Sequence, residues 1–90
     1  MLPNVLVVDN DKQTLEIMSL YLEDVATVST VLGGRQALDF VHQNPVDVIF
    51  LDVDMPGKNG IETGKEICKK SEKSIIIFIT AYPQYAIDAY

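Results

Sequence analysis

Ninety residues, 48% of them apolar, suffice for one small hydrophobic core and not for two. A formal charge of −6 argues against this segment gripping a phosphate backbone, because nucleic-acid affinity rests largely on Lys and Arg displacing counterions. The apolar runs fall far below the roughly 18 residues of a membrane span, no basic segment leads into an apolar stretch at the N-terminus, and the single cysteine, Cys68, can form neither an internal disulfide nor a zinc cluster, which together suit the cytoplasm.

Asn4 to Val8 is a valine-rich run that stops at Asp9-Asn10-Asp11, as a buried strand would. Leu15, Met18, Leu22 and Val25 recur at intervals of three and four with polar residues between them, which predicts an amphipathic helix. Val25 to Val31 is alternating and β-branched, hence a second strand, broken by Gly33-Gly34. Ala37, Leu38 and Val41 mark a second helix stopping near Asn44-Pro45, with His42 close enough to its end to bond the last carbonyls. Val46 to Leu51 predicts a third strand running into Asp52, and Met55-Pro56-Gly57-Lys58-Asn59-Gly60 a loop. Ile61, Gly64, Ile67 and Cys68 define a third helix, with Cys68 a buried structural thiol. Lys65, Lys69, Lys70 and Lys73 interleave with Glu62, Glu66 and Glu72 as its solvated, paired face. Ser74 to Ile79 is a fourth strand, and Pro83 opens a helix still running at Tyr90.

Alternating strands and helices, with strands apolar on both faces, imply an α/β fold whose parallel sheet is covered on both sides. Ligands of such sheets bind outside the carboxyl ends of the strands, where Asp9, Asp52 and Thr80 all fall. Singly each has an ordinary reading: Asp9 and Asp11 as helix caps, Asp52 as a turn residue, Thr80 as a strand end. Jointly, carboxylates on one edge repel unless a cation sits among them, and Mg²⁺ prefers such oxygen ligands. A carboxylate held beside that ion can attack phosphorus, which points to Asp52 as a phosphoryl acceptor and to Thr80 as a hydroxyl able to bond a phosphoryl oxygen.

These residues carry a resemblance. Val5-Leu6-Val7-Val8-Asp9, the stretch from Val48 through Asp52 to Gly60, and Ile76-Ile77-Phe78-Ile79-Thr80-Ala81 resemble the first, third and fourth strands of the receiver domain of two-component response regulators. The run from Ala81 to Tyr90 resembles the LytTR class. The resemblance implies a flavodoxin-like doubly wound sheet of order 2-1-3-4, with Asp52 as the phosphorylated aspartate and Thr80 as the switch hydroxyl. It further implies a Mg²⁺ site framed by Asp9, Asn10, Asp52 and the backbone carbonyl of Asp54. The implied partners are a sensor histidine kinase as donor and a C-terminal, DNA-binding output domain; the segment itself is expected to be no enzyme and to bind neither nucleic acid nor membrane, with a homodimer as one arrangement.

Two features depart from the family pattern. Asn10 stands where receivers usually carry a second acid, so Mg²⁺ binding is expected to be weak, with Asp11 compensating partly through water. By the resemblance, residues 1–90 are also expected to form a C-terminally incomplete receiver, lacking the fifth strand with its lysine and the fifth helix, which would leave the fourth strand as an apolar edge unless further chain or a partner completes it. Two other readings compete. A degenerate receiver would act by protein contact alone, with Asn10 a sign of decayed metal binding. A haloacid-dehalogenase-like phosphatase would use the D-x-D of Asp52-Val53-Asp54, but that signature belongs on a first strand and leaves Asp9 unexplained.

Overall fold

The computed structural model of the chain describes residues 1–53, 60–70 and 73–79. Within them run β1 (Asn4–Val8), α1 (Lys12–Leu22), β2 (Thr27–Val31), α2 (Gly34–Gln43), β3 (Val48–Asp52), α3 (Gly60–Lys70) and β4 (Ile75–Ile79). The strands form one sheet in the order β2-β1-β3-β4, every neighbouring pair parallel. This is the doubly wound, flavodoxin-like arrangement expected from the sequence. The helix expected from Pro83 lies outside the described residues, as do Tyr82, Tyr85 and Tyr90.

β1 is central, which explains its continuous apolar run: Val5, Leu6, Val7 and Val8 are all buried. Its side chains alternate between two cores. Leu6 and Val8 join Ala37, Leu38, Val46, Ile49, Leu51 and Ile67 beneath α2 and α3. Val5 and Val7 join Leu15 and Ala26 beneath α1. Leu6, Ile49, Leu51 and Ile67 are fully buried, each contributing about 1.5–3 kcal/mol of transfer free energy.

The borders differ from the sequence reading at three places, for local reasons. Val25 is neither helical nor in β2 but in a turn and 58% exposed. The backbone N–H groups of Val25 and Ala26 both donate to Leu22 O, closing the end of α1, and the sheet begins only where Thr27 N–H donates to Pro3 O at 2.9 Å. Val46 is buried ahead of β3, and Ser74 Oγ donates to its carbonyl at 2.6 Å just ahead of β4. At the end of α2, the Phe40 carbonyl is taken by the N–H and Nδ2 of Asn44, at 2.9 and 3.1 Å, rather than by His42.

Cys68 is exposed, contrary to the buried thiol expected. The buried stripe of α3 is Gly60, Thr63, Gly64 and Ile67, an i, i+3, i+4, i+7 set that leaves position 68 outside it. Lys65, Lys69 and Lys70 are exposed on the same helix, as expected of a solvated face. In β4, Ile76 and Phe78 pack on the α2–α3 core while Ile75 and Ile77, on the face toward α1, are 62% and 39% exposed. Among the described residues no helix is long and apolar enough to cross a membrane.

Candidate functional site at the carboxyl edge of the sheet

Parallel strands deliver their carboxyl ends to one edge, and β1 and β3 end there side by side. Val8 pairs with Leu51, so the residues that follow, Asp9 and Asp52, stand at neighbouring strand ends. On the other flank Ile79 is registered with Asp52, and Val53 N–H donates to Ile79 O at 3.0 Å, carrying the β3–β4 ladder one residue beyond Asp52. Two carboxylates separated by 43 positions in sequence are thus brought together by register alone.

Asp9 is only 7% exposed. Its Oδ1 accepts the backbone N–H of Asp11 at 2.9 Å, and its own N–H donates to Val31 O at 3.2 Å, tying the strand end to β2. Burying a carboxylate is costly unless it is hydrogen-bonded and neutralised. No basic side chain is paired with Asp9 among the described residues, so a cation suits this edge. Asp52 beside it is partly buried, and Asn10 is exposed.

Of the two readings open to Asp11, the structure shows the capping one. It is the N-cap of α1: Oδ1 accepts from Gln13 N–H at 3.0 Å and Oδ2 from Thr14 Oγ1 at 3.0 Å. Both oxygens are thereby committed to the helix terminus, whose free N–H groups favour an anion. The residue that caps α1 is therefore Asp11, while Asp9 is held inside the edge.

Among the described residues no three acidic, His or Cys side chains converge on one point. The ligand set read from the sequence needs no such trio, since it has two carboxylates, an amide and a main-chain carbonyl. The structure sets Asp9 and Asp52 at adjacent strand ends, with the exposed Asn10 following Asp9 in the chain; Asp54 and Thr80 lie outside the described residues. Sequence reasoning missed Gly60. It is buried, it opens α3, and its N–H donates to Val53 O at 2.9 Å. Its place in the turn-rich run after Asp52 was the available signal.

Comparison with known proteins agrees with this fold. Residues 5–90 match the model of the response regulator receiver domain. The chain is 32% identical over 88 residues to the transcriptional regulatory protein LytR of Staphylococcus aureus, covering 94% of this chain and 36% of that protein. It is 36% identical over 63 residues to the transcriptional regulatory protein YpdB of Escherichia coli, covering 70% of this chain and 26% of that protein. The chain thus spans about a third or less of the curated relatives it matches. Among solved structures, the response regulator TrrA of Thermotoga maritima in complex with Mg²⁺ and a beryllium fluoride superposes with a TM-score of 0.90 at 34% identity, over 97% of this chain and 76% of that one. The complex of the histidine kinase ThkA with TrrA matches with a TM-score of 0.83 at 34% identity, over 90% of this chain and 71% of that one.

Proposed function

Because this chain belongs to the response regulator receiver domain family, we propose that it accepts a phosphoryl group on Asp52 from a sensor histidine kinase and passes the change to an output domain that controls transcription. The observation that carries this reading is the register of β1 and β3, which sets Asp52 and the buried Asp9 at adjacent strand ends on one edge of the sheet. A carboxylate oxygen of Asp52 forms the new O–P bond as the donor's bond to phosphorus breaks. With a phosphohistidine donor, the imidazole leaves with the electron pair of the P–N bond.

Asp9, Asn10, Asp52 and the Asp54 carbonyl would hold Mg²⁺, and the bound ion supplies charge neutralisation at the transferring phosphoryl oxygens. The Thr80 hydroxyl donates to a phosphoryl oxygen once one is present. Residues 1–90 form the larger part of the receiver, completed by further chain that leads to a DNA-binding domain, in the cytoplasm. Support for that organisation is that LytR and YpdB are transcriptional regulatory proteins of which this chain covers only a small share.

The test is stoichiometry. With acetyl phosphate and Mg²⁺ the full-length protein should take up one phosphoryl group per chain and should not turn over a generic phosphate ester. Sustained ester hydrolysis would instead favour a phosphatase.

Asn10 favours a second reading, an interaction module that works without phosphorylation, since an amide brings no charge to the metal. Paired substitutions separate the two. Asn10→Asp should tighten Mg²⁺ by about tenfold or more, because a third anion near a divalent ion is worth about 1.4 kcal/mol or more. Asp11→Ala should leave Mg²⁺ affinity unchanged and cost about 1 kcal/mol of stability as a lost N-cap. Calorimetric titration and thermal unfolding read the two effects. Equal Mg²⁺ affinity in Asn10→Asp and wild type would remove Asn10 from the ligand set.

A further inference from the structure

We infer that Gly60 is a positioning residue for Asp52: the first residue of α3 is seated against the peptide that carries the acceptor, with no room for a side chain. The inference rests on the reading of Asp52 as the phosphoryl acceptor. A Cβ added at Gly60 would lie 2.6 Å from Val53 Cα and 2.8 Å from the carbonyl carbon of Asp52, and closer still to the Asp52 carbonyl oxygen. Every one of these atoms is backbone, so no rotamer change relieves the overlap. Either α3 or the end of β3 must shift.

Local bonding decides which parts move together. Gly60 N–H donates to Val53 O at 2.9 Å, and Val53 N–H donates to Ile79 O at 3.0 Å. The start of α3, the peptide after Asp52 and the end of β4 thus form one hydrogen-bonded chain across the edge. Asp52 sits within it, while its partner Asp9 is fixed separately, through Val31 O and the Asp11 N–H. Displacing the Asp52–Val53 peptide therefore changes the placement of one carboxylate relative to the other. Phosphoryl transfer depends on such placement, and misplacing a reacting group by about 1 Å can cost on the order of 100-fold in rate.

Gly64 provides the control. It lies one turn further along the same buried stripe, and a Cβ there would meet the Phe78 ring at 2.8 and 3.0 Å and a methyl group of Leu51 at 3.4 Å. That overlap is with side chains on the sheet face rather than with the backbone of the acceptor. Gly60→Ala and Gly64→Ala should both lower the unfolding temperature, but only Gly60→Ala should slow phosphorylation.

The experiment uses the full-length protein, acetyl phosphate and saturating Mg²⁺, well below each variant's unfolding temperature, with rates expressed per folded molecule. Gly60→Ala should react on the order of 10- to 100-fold more slowly than wild type, and Gly64→Ala within about twofold of it. If Gly60→Ala is unfolded in water, all three proteins are compared in an osmolyte that favours the compact state. Equal rates in folded Gly60→Ala and wild type overturn the inference. So does equal slowing in Gly64→Ala, and so does a Gly60→Ala that stays unfolded in the osmolyte, because the contact then serves the fold as a whole. Failure of the wild type to take label on Asp52 is a separate result: it overturns the acceptor assignment itself, and this inference with it.

Discussion

Asp52→Asn is expected to take up no phosphoryl group under conditions in which the wild type gains one per chain. The substitution exchanges an ionised oxygen for an amide nitrogen of nearly the same shape, so it removes the nucleophile while sparing the surroundings. The backbone links at this strand end, from Val53 N–H to Ile79 O and from Gly60 N–H to Val53 O, do not involve the Asp52 side chain and should persist. Loss of label therefore reports chemistry rather than unfolding, which a superimposable circular dichroism spectrum and melting curve would verify. Intact mass measurement of the full-length protein after exposure to acetyl phosphate and Mg²⁺ reads the outcome. Label retained by the variant would move the acceptor elsewhere.

Thr80→Ala is expected to accept phosphate and yet respond to it weakly. Thr80 follows β4 in sequence, and β4 is the strand registered beside Asp52. A hydroxyl there can donate to a phosphoryl oxygen only after transfer has occurred. Such a charge-assisted bond is worth about 1.5–3 kcal/mol, enough to shift a two-state equilibrium by roughly tenfold or more. Amide exchange across residues 81–90, before and after phosphorylation, compares the two proteins. The wild type should change and Thr80→Ala should change much less; equal changes would mean that the signal travels by another route.

The sheet was legible because its strands are buried on both faces, and such strands announce themselves as uninterrupted apolar runs. Asn4 to Val8 is the clearest case, and its observed limits are those read from the sequence. Ends were harder where an apolar residue serves a turn or a loop instead of a strand. Val25 lies exposed in the turn after α1, and Val46 is buried just ahead of β3.

The face of α3 was misassigned by one position for a related reason. Its packing stripe consists of two glycines, a threonine and one isoleucine, so hydrophobicity gave little phase information, and Ile61 and Cys68 drew the reading around the helix. The small residues are there for close approach: an added Cβ at Gly34 would run into Thr63, and one at Gly64 into Phe78. Contacts of that kind depend on where a neighbouring element lies, which spacing along a single helix does not encode.

At the edge of the sheet, the location of Asp9 and Asp52 at adjacent strand ends followed from topology once the strands were parallel and ordered 2-1-3-4. The separate duties of Asp9 and Asp11 did not, because both are aspartates in one short acidic segment. Hydrogen bonding distinguishes them: Asp11 spends both oxygens on Gln13 and Thr14 at the start of α1, while Asp9 is held within the edge.

The central claim is that Asp52, among the acids of this edge, carries the phosphoryl group. Borohydride reduces an aspartyl phosphate to homoserine and leaves free carboxylates untouched, so phosphorylated full-length wild type, trapped in this way and mapped by peptide mass, reports the position without any substitution. Homoserine at position 52, and at no other, is the predicted result. Homoserine at Asp9, Asp11 or Asp54, or none at all in protein that had gained the mass of a phosphoryl group, would contradict it.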